Sequence, residues 1–165
     1  AIFILSWTLL LKLVYQILET LLIERMIKQM IDNLATEFYW LILTITMTCL
    51  LWIPQIIHSV LNVGPTKAFL YPDEATKHYA EWAKRSKAAH KNAVENLIIF
   101  APLTILVVIL ETENEMTAIT ASVYFFARAI HFFMHTLSVP LMRTLMFLIG
   151  FACQIVMALT IFNAM

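Results

Sequence analysis

With 165 residues, 61% of them hydrophobic and only 13% charged, and a mean hydropathy of +0.81, the chain is far more apolar than a soluble domain of its size could be on its surface. A formal net charge of zero suggests no nucleic-acid partner. The length suits one all-α membrane bundle of four or five spans at about 20 residues each, with little left for an extramembrane domain.

Residues 1–23 are apolar except for Lys12, Glu19 and a few hydroxyl or amide groups. The stretch is long enough to cross a bilayer but carries charge near its middle, so it can span or lie along the bundle. It has neither the charged start nor the small-residue cleavage site of a signal peptide. A polar break follows from Glu24 to Glu37. Phe38–Val63 is the next span. It opens on the cluster Phe38-Tyr39-Trp40, suited to an interfacial belt, and Pro54 should kink it unless neighbours satisfy the freed carbonyl. Gly64-Pro65 ends it. The connection from Thr66 to Lys91 carries Lys67, Lys77, Lys84, Arg85, Lys87 and Lys91 against Asp73, Glu74 and Glu81, and the positive-inside tendency puts this loop, 66–91, in the cytoplasm. A third span runs from about Asn92 to Leu110 and ends at the acidic turn Glu111-Thr112-Glu113-Asn114-Glu115. Thr117–Val139 and Leu141–Phe162 supply two more, with the return marked by Pro140. Cys49 and Cys153 lie inside apolar runs and read as packing groups.

This alternation places the start of the third span, the end of the fourth and the start of the last on one side of the membrane. Asn92, Glu95, His131, His135 and Arg143 then converge at one depth. If the third helix begins upstream in the basic loop, residues three, four or seven apart put Arg85, Asn92, Glu95 and Asn96 on one stripe. Arg128, His131 and His135 line another. Polar stripes within apolar helices are costly against lipid and make sense facing each other or a neighbouring subunit. Arg128 lies about 10 Å deeper than His135, at about 1.5 Å per residue, and Glu95 is the leading candidate for its partner. Such a pair can simply lock the bundle. Alternatively, the cationic groups form a site for an anionic ligand entering from the cytoplasmic face, where Arg offers forked donors to carboxylates and stabilises a thiolate. The His131/His135 spacing can in principle ligate a metal, but with no Cys or clear supporting carboxylate it reads as packing or hydrogen bonding, and no metal is expected.

The segment Ala89-His90-Lys91-Asn92-Ala93-Val94-Glu95-Asn96, followed by an apolar span, resembles the Ala-His-x-Asn-x-x-Glu signature of the MAPEG family, the membrane-associated proteins in eicosanoid and glutathione metabolism. Tyr124-Phe125-Phe126-Ala127-Arg128-Ala129-Ile130-His131 and Pro140-Leu141-Met142-Arg143 look like that family's third and fourth helices. Trp52-Ile53-Pro54 and Ala80-Glu81-Trp82-Ala83 are most similar to its bacterial branch. The resemblance implies a four-helix transmembrane domain over residues 34–165, in a bacterial inner membrane, assembled as a homotrimer with glutathione as co-substrate between subunits. It leaves residues 1–33 outside as an additional N-terminal helix, possible docking ground for partner subunits. By resemblance, Arg85, Asn92, Glu95, His131 and His135 contact glutathione, while Arg143 and Arg128 are the catalytic cations.

The chain also departs from the family pattern. The Arg that commonly opens the signature is Ala88, with Arg85 and Lys87 nearby, and two positions often held by Tyr in glutathione-conjugating members are His131 and His135. Two functions are therefore expected as alternatives. One is a glutathione-dependent transferase or peroxidase acting on lipophilic electrophiles or lipid hydroperoxides. The other is a non-catalytic subunit or lipid-presenting scaffold of the same fold.

Overall fold

The computed structural model describes residues 35–165 and, upstream of them, Lys12, Gln16, Glu19, Thr20 and Leu22. The chain divides after Leu34 into two units. In the first, the five described positions are helical and exposed, and Thr20 Oγ1 donates to the Gln16 carbonyl at 2.8 Å. The rest of the expected N-terminal helix lies outside the described residues.

The second unit consists of helices α1 (Thr36–Leu50), α2 (Ile53–Val63), α3 (Pro65–Leu70), α4 (Pro72–Lys77), α5 (Glu81–Ile109), α6 (Glu115–Thr136) and α7 (Pro140–Ala164). Among the described residues, four stretches are long and apolar enough to cross a membrane: α1 with α2, then α5, α6 and α7. Their length and apolarity are those of an integral membrane protein. α5 begins at Glu81, well before Asn92, and its 29 residues reach about 43 Å at about 1.5 Å each, against a hydrocarbon thickness of about 30 Å. Its first turns therefore stand outside the apolar layer and carry Arg85 with them.

Local chemistry sets the element boundaries. Pro54 has no N–H to return to the Leu50 carbonyl, and the first span breaks just before it, at Leu51-Trp52, with Pro54 in the opening turn of α2. α2 stops at Gly64, whose φ of +82° suits a residue without Cβ. α6 starts in a capping box: the Asn114 side chain accepts from the Met116 and Thr117 amides, and Thr117 Oγ1 accepts from the Asn114 amide at 2.8 Å. α5 and α6 both end with a non-glycine residue in left-handed backbone, Glu111 (φ 52°) and Ser138 (φ 63°). In each, the next amide reaches back five residues, Thr112 to the Val107 carbonyl at 3.0 Å and Val139 to Met134 at 2.9 Å, the closure expected of a Schellman turn.

α6 packs against α1, α5 and α7, and α5 against α1, α2 and α7. The main core joins Leu41, Phe100, Val107, Ala121, Tyr124, Cys153, Met157 and Ile161, with Phe100 and Tyr124 stacked at 3.6 Å between centroids. A smaller cluster of Leu51, Ala89, Ala93 and Phe132 lies nearer the basic end. Outward positions are apolar too; Leu61 is 80% and Ile98 68% exposed, as suits a surface solvated by lipid rather than water. Of the two cysteines, Cys153 is buried and Cys49 exposed, so only the former fills the core. Glu37, expected in the polar break, is instead sealed inside at 2% exposure, with Thr117 Oγ1 2.5 Å from its Oε1. The carboxylate thereby sits at the N-terminus of α6, where the helix dipole favours it.

Candidate functional site

The buried stripe of α5 runs through Ala83, Ser86, Ala89, Ala93, Asn96, Phe100, Thr104 and Val107. At about 100° per residue, Arg85, Asn92 and Asn96 fall close to this stripe, while Glu95 is turned about 60° from Asn92. That rotation decides which polar groups enter the bundle. Asn92 reaches inward and accepts from Arg128 Nη2 at 2.6 Å. Asn96 Nδ2 donates to the Asn92 carbonyl at 2.9 Å, and Gln154 Nε2, on α7, donates to the Asn96 carbonyl at 3.0 Å. A polar ladder thus crosses three helices and holds the acceptor for the guanidinium.

Two sequence-based expectations are corrected here. Asn92, not Glu95, is the partner of Arg128. Glu95 leaves the shared stripe: its side chain is 56% exposed, and its nearest cation is Lys91 at 3.8 Å on the same helix, an exposed contact of little energetic weight. The physical reason is helical phase, since spacing of three from Asn92 carries Glu95 past the edge of the packed face.

Arg128 is only 2% exposed, although its Nε and Nη1 have no hydrogen-bond partner. Its aliphatic stem lies against Gly150 of α7, where an added Cβ would come within 3.3 Å of Arg128 Cδ. Absence of a side chain at Gly150 is what lets the guanidinium reach α5. His131, one turn further along α6, is buried, and His135 is half-buried with its ring 5.7 Å from that of His131. The Nδ1 atoms of both imidazoles are buried without a partner. Among the described residues no cluster of three His, Cys, Asp or Glu side chains suited to a metal forms.

Asn92, His131, His135, Arg143, Thr144 and Phe147 line an open cleft of about 230 Å³. The structure therefore brings Asn92 of α5, both histidines of α6 and Arg143 of α7 together, with Arg128 buried behind them. The Arg143 side chain is half-buried and has no hydrogen bond or ion pair among the described residues. Arg85 is displaced from the cleft wall: its Nε donates to the Thr136 carbonyl at 2.9 Å, where a cation also complements the C-terminal dipole of α6. Sequence reasoning missed Thr144 and Phe147; their spacing of one and four from Arg143 carries the signal only once α7 is known to begin at Pro140. Tyr124, one turn before Arg128, is fully buried, whereas Phe126 points outward at 54% exposure.

Among the described residues no carboxylate lines the cleft, so its cations meet no counter-charge there. A membrane-embedded helical bundle with a cationic cleft at one end is the class of protein that fold and site define. The chain belongs to the MAPEG family, whose family model matches residues 4–163, and that family includes glutathione-dependent transferases and peroxidases. The match takes in most of the N-terminal segment that the sequence resemblance had left out. No curated protein and no solved structure matches the chain.

Proposed function

We propose that the protein is a membrane-embedded glutathione-dependent transferase or peroxidase of the bacterial branch, acting on lipophilic electrophiles or lipid hydroperoxides. The observation that carries this reading is the buried, half-satisfied Arg128 behind a cleft with Arg143 at its wall and, among the described residues, no carboxylate facing either. Burying a cation with open donors is costly, and an anionic ligand supplies the missing acceptors. Glutathione fits that donor set, with two carboxylates and a thiol. Asn92 holds Arg128 in place, His131 and His135 offer imidazole donors or acceptors to the peptide, and Arg143 stabilises the thiolate. Charge contacts of this kind strengthen as water is excluded beside the bilayer. Glu95, on the outer face of α5, contacts a ligand only if that ligand is shared with a neighbouring subunit. Its exposure supports a homotrimer with the cleft completed between protomers. The basic end, with Arg85 and the loop 66–91, faces the cytoplasm in this reading.

With glutathione and chlorodinitrobenzene, the thiolate sulfur attacks the ring carbon, chloride leaves, and the thiol proton passes to water. Detergent-solubilised protein is expected to turn this pair over, and Arg143→Ala to lose at least tenfold in rate, about 1.4 kcal/mol of transition-state stabilisation, while the trimer stays intact by size. Equal rates for the variant and the parent would remove Arg143 from the chemistry.

The alternative is a non-catalytic subunit or lipid-presenting scaffold. It draws on Ala88 in place of the family's common Arg, and on Arg85 being tied to the Thr136 carbonyl rather than facing the cleft. Absence of turnover with any thiol would favour it.

A further inference from the structure

The connection between α2 and α5 returns tightly along the end of the bundle. α3 packs against α2, and α4 packs against both. Its far end is latched to α2: the Ala80 amide donates to His58 Nε2 at 3.0 Å. The His58 ring also meets Tyr79 and Trp82 edge-on, at 5.8 and 5.0 Å between centroids. Ala68, Ala75 and Tyr79 are buried on the inner side of this return. Its outer side is apolar: Phe69, Leu70 and Tyr71 are 66%, 67% and 56% exposed.

Three consecutive large apolar residues held outward by a latched turn are not a solvated loop. They continue the lipid-facing surface of α2, whose Leu61 is 80% exposed. Lys67 lies just before them and Lys77 one helical segment beyond, both exposed and without an ion pair among the described residues, while the exposed Asp73 and Glu74 stand between Tyr71 and Lys77. The return itself carries Lys67 and Lys77 against Asp73 and Glu74, and with the first turns of α5 the stretch 66–91 carries six basic against three acidic side chains. An apolar ridge with cations at its margins matches the boundary between acyl chains and anionic headgroups.

We propose that residues 65–71 form an interfacial anchor, with Phe69, Leu70 and Tyr71 seated in the acyl boundary of an anionic leaflet and Lys67 and Lys77 against its phosphates. The segment fixes the depth of the first turns of α5, and hence of the cleft, relative to the headgroups. This inference does not depend on the catalytic reading.

Nitroxide labels test it in proteoliposomes of full-length protein carrying Cys49→Ser and Cys153→Ala. Phe69→Cys and Tyr71→Cys report the ridge, Ile98→Cys a lipid-facing reference and Glu113→Cys an aqueous one. The ratio of oxygen to nickel-complex accessibility at positions 69 and 71 is expected to approach that at 98 and to exceed that at 113 several-fold. Lys67→Glu with Lys77→Glu is expected to lower the ratio in phosphatidylglycerol-containing vesicles and leave it unchanged in pure phosphatidylcholine. A ratio at 69 and 71 equal to that at 113 overturns the anchor. Insensitivity to the charge reversal in anionic vesicles overturns the choice of partner. Spin–spin broadening between labels at 69, lost on dilution with unlabelled chains, assigns the ridge to a contact between copies and likewise overturns it.

Discussion

A guanidinium enclosed by apolar helices needs either an acceptor inside the protein or one brought by a ligand, and the protein satisfies Arg128 only in part. Asn92 supplies one neutral acceptor at 2.6 Å, leaving Nε and Nη1 open. A hydrogen bond to a charged group contributes about 1.5–3 kcal/mol, so Asn92→Ala is expected to cost that much in a denaturation titration in mixed micelles. Glu95→Gln, removing only an exposed contact to Lys91, is expected to stay within about 0.5 kcal/mol of the parent in the same titration. Comparable losses for both would mean that Glu95 does enter the bundle. The sequence makes the presence of a buried cation evident, because Arg128 interrupts an apolar run. Its partner is harder to read: Asn92 and Glu95 are both polar, both near in sequence to the membrane boundary, and a carboxylate is chemically the stronger candidate. Only the phase of α5 separates them, and that phase is set by the packing of Ala89, Ala93 and Phe100.

At the scale of elements, hydropathy places the four apolar stretches, and proline and glycine mark their ends. Pro54 and Gly64 act as their chemistry requires, whereas Pro102 lies inside α5 without interrupting it; nothing in the structure explains why that helix continues. The two left-handed closures at Glu111 and Ser138 carry no sequence signal, since glycine is the residue that normally announces them. A side chain in that conformation costs about 1–2 kcal/mol relative to the right-handed region, partly offset by the greater freedom of an unfolded glycine. Ser138→Gly is accordingly expected to raise stability by about 0.5–1 kcal/mol, seen as a higher denaturation midpoint. A lower midpoint would show that the Ser138 side chain contributes something beyond the turn. The stretch 66–91 is legible as basic, but the tight return of α3 and α4 within it is not. That return depends on His58 meeting Ala80, a contact spanning 22 residues with no local pattern to reveal it.

Across residues 35–165, many of the charged side chains are sorted by end. Glu37 and the Glu111–Glu115 turn gather at one end, while Arg85, the lysines of the connection and the cleft gather at the other. Alternation of spans predicts this sorting, which is why the convergence of Asn92, His131, His135 and Arg143 could be anticipated from sequence. The cleft is open to the outside of the protomer and, among the described residues, lacks a counter-charge, so the proposed function predicts an anionic ligand that stabilises the folded protein. The direct measurement is the thermal midpoint of the purified full-length protein with and without millimolar glutathione. A concentration one hundred times the dissociation constant stabilises the bound state by about 2.7 kcal/mol. The account predicts a midpoint that rises with glutathione concentration in the parent and much less in Arg143→Ala. An unchanged midpoint in folded, correctly assembled protein at saturating glutathione would contradict it.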